Sequence, residues 1–212
     1  MLGADACRLG WVAVLAEDGD FVATAIAPTF PDLLASVPGA VAVGVDIPIG
    51  LPNEGPRAAD VAARAFVGPR RSSVFPTPTR AALTAATYAE ARVVSPSLSA
   101  QSFAIGKKIL EVEACLEERV FEVHPEVSFA ALAGSYLRHP KRTWNGQHDR
   151  RRLLADAGLM LPEHLDAGDA PVDDVLDAAV AAWSAGRKAT GRAKTLPEDP
   201  PTQDGRIVAI WY

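Results

Sequence analysis

Residues 40–46 read Ala-Val-Ala-Val-Gly-Val-Asp, and residues 2–6 read Leu-Gly-Ala-Asp-Ala. Both stretches are almost entirely small and apolar, which is typical of strands buried on both faces of a sheet. Asp5 interrupts the apolar run at residues 2–6, and Asp46 stands at the end of the run at residues 40–46. A buried carboxylate is costly unless it is paired with a cation or bound to a metal. The two stretches therefore predict the centre of a sheet and, at the same place, a candidate site.

Further strands can be placed around this pair. Turn residues separate predicted strands over residues 11–15 and 21–27 from the first strand, so three antiparallel strands open the chain. A short helix is predicted over residues 30–37, and residues 119–123 predict another strand. The alternation of residues 41–46 gives the face that carries Asp46 only small neighbours, and we expect that face to leave room for a ligand.

Helical patterns dominate two regions of the chain. The first is an insertion around residues 56–118, in which Thr77 and Pro78 resemble the start of a helix. Its predicted elements are helices over 57–66, 77–92 and 100–118 and a loop over 68–76. The second region is predicted to hold helices over 127–133, 149–157 and 173–190, a basic loop over 141–148 and a possible last strand over 206–211.

This order of elements favours one domain of the α/β class spanning residues 1–212, with a mixed sheet covered by helices on both faces. Lys and Arg number 21 and Asp and Glu number 26, giving a net charge of −5. Such a charge does not draw the whole surface to nucleic acid, so a nucleic-acid partner requires local basic patches and bound metal. No run of about 20 apolar residues and no signal segment is present, so we expect a cytoplasmic protein without a membrane partner. The oligomeric state stays open.

Two more aspartates extend the candidate site. Asp174 and Asp177 are three residues apart, so a helix presents them on one face. Asp177 falls among apolar residues one turn inside the helix, where an unpaired carboxylate would meet packing rather than water. Carboxylates suit Mg²⁺ or Mn²⁺. The alternative is that the aspartates cap turns or complement the helix dipole.

A second polar cluster consists of Glu122, His124 and Glu126. On an extended strand Glu122 and His124 share a face, and Pro125 then begins a helix with Glu126 in its first turn. We expect Glu122 and His124 to border the same cleft as the aspartates. The alternative is a histidine that is hydrogen-bonded within the fold. Cys7 and Cys115 are too few for a disulfide framework and are expected to be free thiols.

Five blocks of sequence carry these residues: GADACRLGW at 3–11, DIPIGLP at 46–52, RSSVFP at 71–76, EVHPE at 122–126 and DDVLDA at 173–178. Together they resemble the domain-of-unknown-function 429 family, described as predicted nucleases of the ribonuclease H-like superfamily. The resemblance extends from residue 3 to about residue 191. It implies a ribonuclease H-like sheet with strand order 3-2-1-4-5.

The first and last blocks also resemble those of RuvC-type resolvases, which hold acidic residues at the ends of the first and fourth strands and on the last helix. This likeness implies catalytic and metal-binding roles for Asp5, Asp46, Asp174 and Asp177. RuvC-type enzymes usually carry glutamate on the fourth strand, where this chain has Asp46.

The predicted function is hydrolysis of nucleic-acid phosphodiester bonds with two Mg²⁺ or Mn²⁺ ions. Arg71 with Ser72 and Ser73, in a loop bounded by prolines, is the preferred phosphate contact, and Lys141 is a further candidate. The other predicted substrate-binding residues are Glu122, His124 and Glu126. One alternative is a protein that binds a small phosphorylated ligand or nucleic acid in an acidic cleft without turnover. A phosphotransferase is disfavoured, because sugar kinases use two such halves and a glycine-rich nucleotide site.

Overall fold

The computed structural model describes residues 1–96 and 98–212, and a five-stranded sheet lies at its centre. The strands are β1 (Leu2–Cys7), β2 (Gly10–Glu17), β3 (Asp20–Ala27), β4 (Val43–Val45) and β5 (Val120–Glu122). Their spatial order is β3-β2-β1-β4-β5. The first three strands pair antiparallel, whereas β4 pairs parallel to both β1 and β5. The predicted mixed α/β sheet and its order are confirmed, and the order is that of a ribonuclease H-like fold.

Nine α-helices are found in the described parts of the chain. They are α1 (Phe30–Ser36), α2 (Ala58–Phe66), α3 (Arg80–Leu83), α4 (Tyr88–Val94), α5 (Ala100–Ala104), α6 (Gly106–Ala114), α7 (Pro125–Ala133), α8 (Trp144–Asp156) and α9 (Val172–Ala189). Helices α1 and α6 belong to the layer on one face of the sheet, while α9 packs against β1, β2 and β4 on the other. Helices α7 and α8 lie against α9. Helices therefore cover both faces, as predicted.

Two glycines let α9 approach the sheet. Gly3 and Gly44 are directly paired across β1 and β4. A Cβ atom at Gly3 would lie 2.0 Å from the Ala182 nitrogen, and one at Gly44 would lie 2.8 Å from the Ala181 carbonyl oxygen. The expectation that this small-residue face leaves room for a ligand is wrong at these two positions, because the helix backbone fills the space.

Several predicted elements in the insertion have different bounds. The apolar stretch before Asp46 forms only the three-residue β4, and the loop predicted over 68–76 contains a 3-10 helix, Gly68–Ser73. The helix predicted over 77–92 is divided into α3 and α4. Its start was wrong because Thr77 bonds the buried Asp60 carboxylate, while Thr79 caps α3. The helix predicted over 100–118 is interrupted at Ile105.

The later part of the chain also differs from the prediction. Helix α8 begins at Trp144, because the Thr143 hydroxyl accepts a hydrogen bond from the Gly146 amide and caps it there. Most of the basic loop predicted over 141–148 is therefore helical. The strand predicted over 206–211 is divided into β8 (Arg206–Ile207), paired with β7 (Thr202–Gln203), and β9 (Ile210–Trp211), paired with β6 (Thr195–Leu196).

In the described residues, we find no helix with the length and apolar character needed to cross a membrane. Cys7 and Cys115 are free, as predicted.

Candidate metal centre

Three predicted aspartates converge at one edge of the sheet. Asp5 lies near the end of β1, Asp46 directly follows β4, and Asp177 lies on α9. One carboxylate oxygen from each can be chosen so that all lie within 4.8 Å of one another. The parallel pairing of β1 with β4 brings the first two together, and the close approach of α9 over Gly3 and Gly44 adds the third.

The three carboxyl groups share an environment that disfavours their charged forms. Burial raises the pKa of Asp5 well above its usual value, and the charges of Asp46 and Asp177 raise it further. Burial also raises the pKa of Asp46 to about 7 and that of Asp177 to about 7, while the Lys141 cation opposes both shifts. The cluster is therefore short of positive charge, which a divalent cation would supply.

Lys141 is the cation nearest to these carboxylates in the described structure. Its ammonium group donates a short hydrogen bond to Asp177 and lies 3.7 Å from the Asp173 carboxylate. The carboxylates of Asp177, Asp5 and Asp46 raise the pKa of Lys141, against the effect of its own burial. Lys141 is predicted to contact substrate and lines the cavity, and its ammonium group also neutralises part of the acidic cluster.

The donor set fits a hard divalent cation. Carboxylate oxygens are the ligands that Mg²⁺ and Mn²⁺ prefer, and among the described residues no donor hydrogen-bonds to the Asp5 or Asp46 carboxylate. Asp174 lines the same cavity but lies outside the group of three. Asp5, Asp46 and Asp177 could therefore hold the metal, with Asp174 at the side of the site.

A cavity of about 350 Å³ opens over the cluster. Ser72 and Ser73 line it, as does His124, so the structure brings these predicted residues to the aspartates. Arg71 is exposed and is absent from the cavity wall. The 3-10 helix places Arg71 outside the cavity that Ser72 and Ser73 line. Because a loop was predicted over these residues, this difference between neighbouring side chains was not expected.

His124 stands at the end of β5, beside this cavity. Its Nε2 atom lies 3.4 Å from the Ser73 carbonyl oxygen, and its buried Nδ1 atom has no hydrogen-bond partner among the described residues. Burial lowers the pKa of His124. A neutral imidazole with one unpaired nitrogen is suited to orienting a ligand by a hydrogen bond.

Glu122 borders the cavity but its carboxylate is paired within the protein. The Arg57 guanidinium donates to both oxygens of Glu122, at 2.8 and 2.7 Å, and also bonds Asp60. The Ile49 amide donates to Glu122 at 2.7 Å. These bonds make Glu122 part of the rigid wall, and sequence reasoning missed Arg57 and Asp60 because neither lies near it in the chain.

Glu126 is held in a similar way. Its two oxygens accept from Arg70 at 3.0 Å and from Arg150 at 2.7 Å. Arg150 is completely buried and also donates to the carbonyl groups of His139 and Gly146. Arg150 lies in the middle of α8 and faces inward, so its guanidinium is not available to a substrate phosphate.

The strand order and the helices on both faces are those of a ribonuclease H-like fold, and the acidic cluster at the ends of β1 and β4 gives this fold a candidate metal centre. The sequence profile of the family described as "Protein of unknown function (DUF429)" matches residues 3–202. The chain belongs to this family. No curated protein and no solved structure matches it in the comparisons made.

Proposed function

We propose that this protein is a divalent-metal-dependent nuclease that hydrolyses phosphodiester bonds. The observation that carries the proposal is the convergence of Asp5, Asp46 and Asp177 from three separate elements to within 4.8 Å. These carboxylates lie at the wall of an open cavity rather than in a closed ion pair with arginine. Such an arrangement suits a cation that must also reach a substrate.

The roles of the residues follow from their positions. Asp5, Asp46 and Asp177 would hold the metal, with Asp174 close enough to the cavity to assist. When bound, Mg²⁺ or Mn²⁺ would activate water and stabilise the leaving oxygen. The hydroxyl groups of Ser72 and Ser73 and the ring of His124 would orient the phosphate from the opposite wall. No side chain is required to act as a nucleophile.

The proposal is tested with labelled single-stranded, duplex and branched substrates, each incubated with Mn²⁺, Mg²⁺ or EDTA. Wild type should cut at least one substrate only with metal, and Asp46→Asn should lose at least about 100-fold in rate. Asp20→Asn is the matched control, because Asp20 is exposed at the far end of the β2–β3 hairpin. Equal cutting by wild type and Asp46→Asn would refute the assignment.

One observation favours a second function. Lys141 already places a positive charge among the carboxylates, and a fixed ammonium group can replace a metal in a protein that only binds. In that case the cavity would hold a small phosphorylated ligand without turnover. In the nuclease a divalent cation would neutralise the aspartates, whereas in the binding protein Lys141 would do so.

Replacing Lys141 with methionine separates the two functions. If the protein is a metal-dependent nuclease, Lys141→Met should still fold, and Mn²⁺ should stabilise this variant more than it stabilises wild type. The reason is that the metal becomes the sole cation at the carboxylates. For a protein that uses Lys141 permanently, the variant should be destabilised with or without Mn²⁺. The measurement is the melting temperature of both proteins with Mn²⁺ and with EDTA.

A further inference from the structure

The outer face of α8 combines an exposed aromatic ring with basic side chains. Trp144 is 85% exposed, and His148, Arg151 and Arg152 are exposed as well. Spacings of four and seven residues place His148 and Arg151 on the same face of the helix as Trp144, and Arg152, four residues after His148, lies at the border of this face. Arg150 and Leu154 are buried on the opposite face and attach α8 to the protein.

This face adjoins the candidate metal centre. Lys141, which bonds Asp177, lies three residues before Trp144. Arg142 bonds Asp173 at 3.1 Å, yet its side chain remains 84% exposed. Consecutive Cα atoms are about 3.8 Å apart, so Trp144 lies within roughly 11 Å of Lys141 along the chain. The segment from Arg142 to Trp144 therefore connects the metal cavity to the outer face of α8.

Exposed cations are grouped on this surface, although the whole chain is acidic. Arg142, Arg151 and Arg152 carry positive charge there, whereas the chain has a net charge of −5. The Arg151 guanidinium donates to the Pro162 carbonyl, and among the described residues Arg152 has no ion-pair partner. The acidic neighbours on α8 are Asp149, whose carboxylate lies 2.9 Å from the His139 ring, and Asp156, which is exposed four residues after Arg152.

We infer that Trp144 and the basic residues of α8 form a docking surface for single-stranded nucleic acid. An exposed indole ring stacks on an unpaired base, and neighbouring guanidinium groups contact the backbone phosphates. A duplex offers no free base face along its length, so a single strand is the better occupant. From Trp144 to Arg152 the helix rises about 12 Å, which is enough for a few nucleotides.

This inference deepens the proposed nuclease function by naming the form of its substrate. The strand would lie along α8 and enter the cavity past Arg142, with its phosphates near Asp5, Asp46 and Asp177. The docking surface itself contains none of these carboxylates. Binding can therefore be measured in EDTA, where failure of catalysis has no effect on the result.

The test uses a 12-nucleotide single-stranded DNA, the same RNA sequence and the corresponding DNA duplex. Binding of each to wild type in EDTA is followed by fluorescence anisotropy of a label and by quenching of tryptophan emission. We expect at least one single strand to bind more tightly than the duplex. Trp144→Ala should weaken binding about 5- to 150-fold, which corresponds to the 1–3 kcal/mol of one base–aromatic contact. Trp144→Phe, which keeps a ring, should recover most of the loss.

A second variant tests the basic residues separately. Arg152→Gln should reduce the slope of log affinity against log salt concentration by about 0.7, the value for one phosphate contact of a single strand. Arg192→Gln is the matched control, since Arg192 is exposed beyond the far end of α9, and its slope should equal that of wild type.

Three results would overturn the inference. The first is unchanged single-strand affinity in Trp144→Ala, and the second is tighter binding of the duplex than of either single strand. The third is concentration-dependent dimerisation of wild type that Trp144→Ala abolishes, because Trp144 would then belong to an interface between copies. If wild type binds single strands through Trp144 but cuts nothing with Mn²⁺, the docking surface stands and the nuclease proposal fails.

Discussion

At the scale of single residues, the difference between paired and unpaired carboxylates separates the wall of the site from its centre. Glu122 and Glu126 are buried and each bonds an arginine, so their charges are neutralised within the fold. Asp5 and Asp46 have no such partner among the described residues, and Asp177 has only Lys141. The second group is therefore the one that gains most from an added cation.

Removing one carboxylate charge should stabilise the metal-free protein. At pH 8 in EDTA, Asp46→Asn should melt above wild type, by about 2–4 °C for each kcal/mol of repulsion relieved. Mn²⁺ should raise the melting temperature of wild type more than that of the variant, because the variant lacks one ligand. Calorimetry of both proteins, with Asp20→Asn as control, provides the measurement. A melting temperature of wild type that Mn²⁺ does not change would contradict the metal assignment.

Removing the arginine of the Arg57–Glu122 ion pair should instead destabilise the protein. Arg57→Met leaves the Glu122 carboxylate buried without its bidentate partner, which should lower the free energy of unfolding by about 3–5 kcal/mol. Arg80→Met is a suitable control, since the Arg80–Glu113 ion pair is partly exposed and should contribute less than about 1 kcal/mol. Denaturant unfolding measures both values. Equal effects of the two substitutions would show that burial does not strengthen the Arg57 pair.

At the scale of elements, the path of α9 across β1 and β4 builds the site. Glycine at positions 3 and 44 allows the helix backbone to approach the strands, and this places Asp177 beside Asp5 and Asp46. The sequence predicted the three aspartates and the elements that carry them. It did not predict this packing, because small residues in a strand are equally compatible with a ligand and with a close helix.

A single methyl group at the glycine contact should therefore disturb the site. Gly3→Ala would place a carbon 2.0 Å from the Ala182 nitrogen and 2.1 Å from the Ala178 oxygen, so α9 would have to move. We expect a loss of at least about 1–3 kcal/mol in stability and a smaller melting-temperature shift with Mn²⁺. In Gly39→Ala, the control, the added carbon meets no atom within 4 Å. If Gly3→Ala matched this control in both measurements, the packing explanation would be wrong.

Element boundaries were harder to predict than the elements themselves. Thr77 has the sequence of a helix cap, but its backbone amide and hydroxyl bond Asp60, a residue 17 positions earlier. Likewise, the buried guanidinium of Arg150 on α8 donates a hydrogen bond to the Glu126 carboxylate on α7. Long-range hydrogen bonds of this kind decide local structure, and no pattern of neighbouring residues shows them.

At the scale of the whole molecule, the short turns between the first three strands predicted their antiparallel pairing, whereas the full strand order was implied by the family resemblance. The contribution of Arg57 and Asp60 to the cavity wall could not be predicted, because both are far in sequence from the Glu122 carboxylate that Arg57 bonds. Distant pairs such as Arg57 with Glu122 hold that wall in place. The fold thus pairs Glu122 and Glu126 with arginines, whereas the cluster of Asp5, Asp46 and Asp177 has only the Lys141 cation beside it.

The stability of the metal-free protein should depend on pH through this cluster. Asp46 and Asp177 have a raised pKa of about 7 in the folded chain, against an ordinary value of 3.8. The folded chain therefore binds more protons than the unfolded chain between these values, so the free energy of unfolding falls as pH rises from about 4 to about 7. Above that range this contribution levels off. Denaturant unfolding in EDTA across the range should show the decrease, and Asp46→Asn should show less of it; an increase with pH that the variant shares would contradict the assignment.

The most direct measurement of the central claim is anomalous diffraction from crystals of wild type soaked in Mn²⁺ at pH 8. We predict a manganese peak coordinated by oxygens of Asp5, Asp46 and Asp177, with the Lys141 ammonium group displaced from Asp177. The same soak of Asp46→Asn crystals should give a weaker peak or none. Absence of any peak in wild type, with Lys141 still bonded to Asp177, would contradict the claim that these carboxylates form a metal centre.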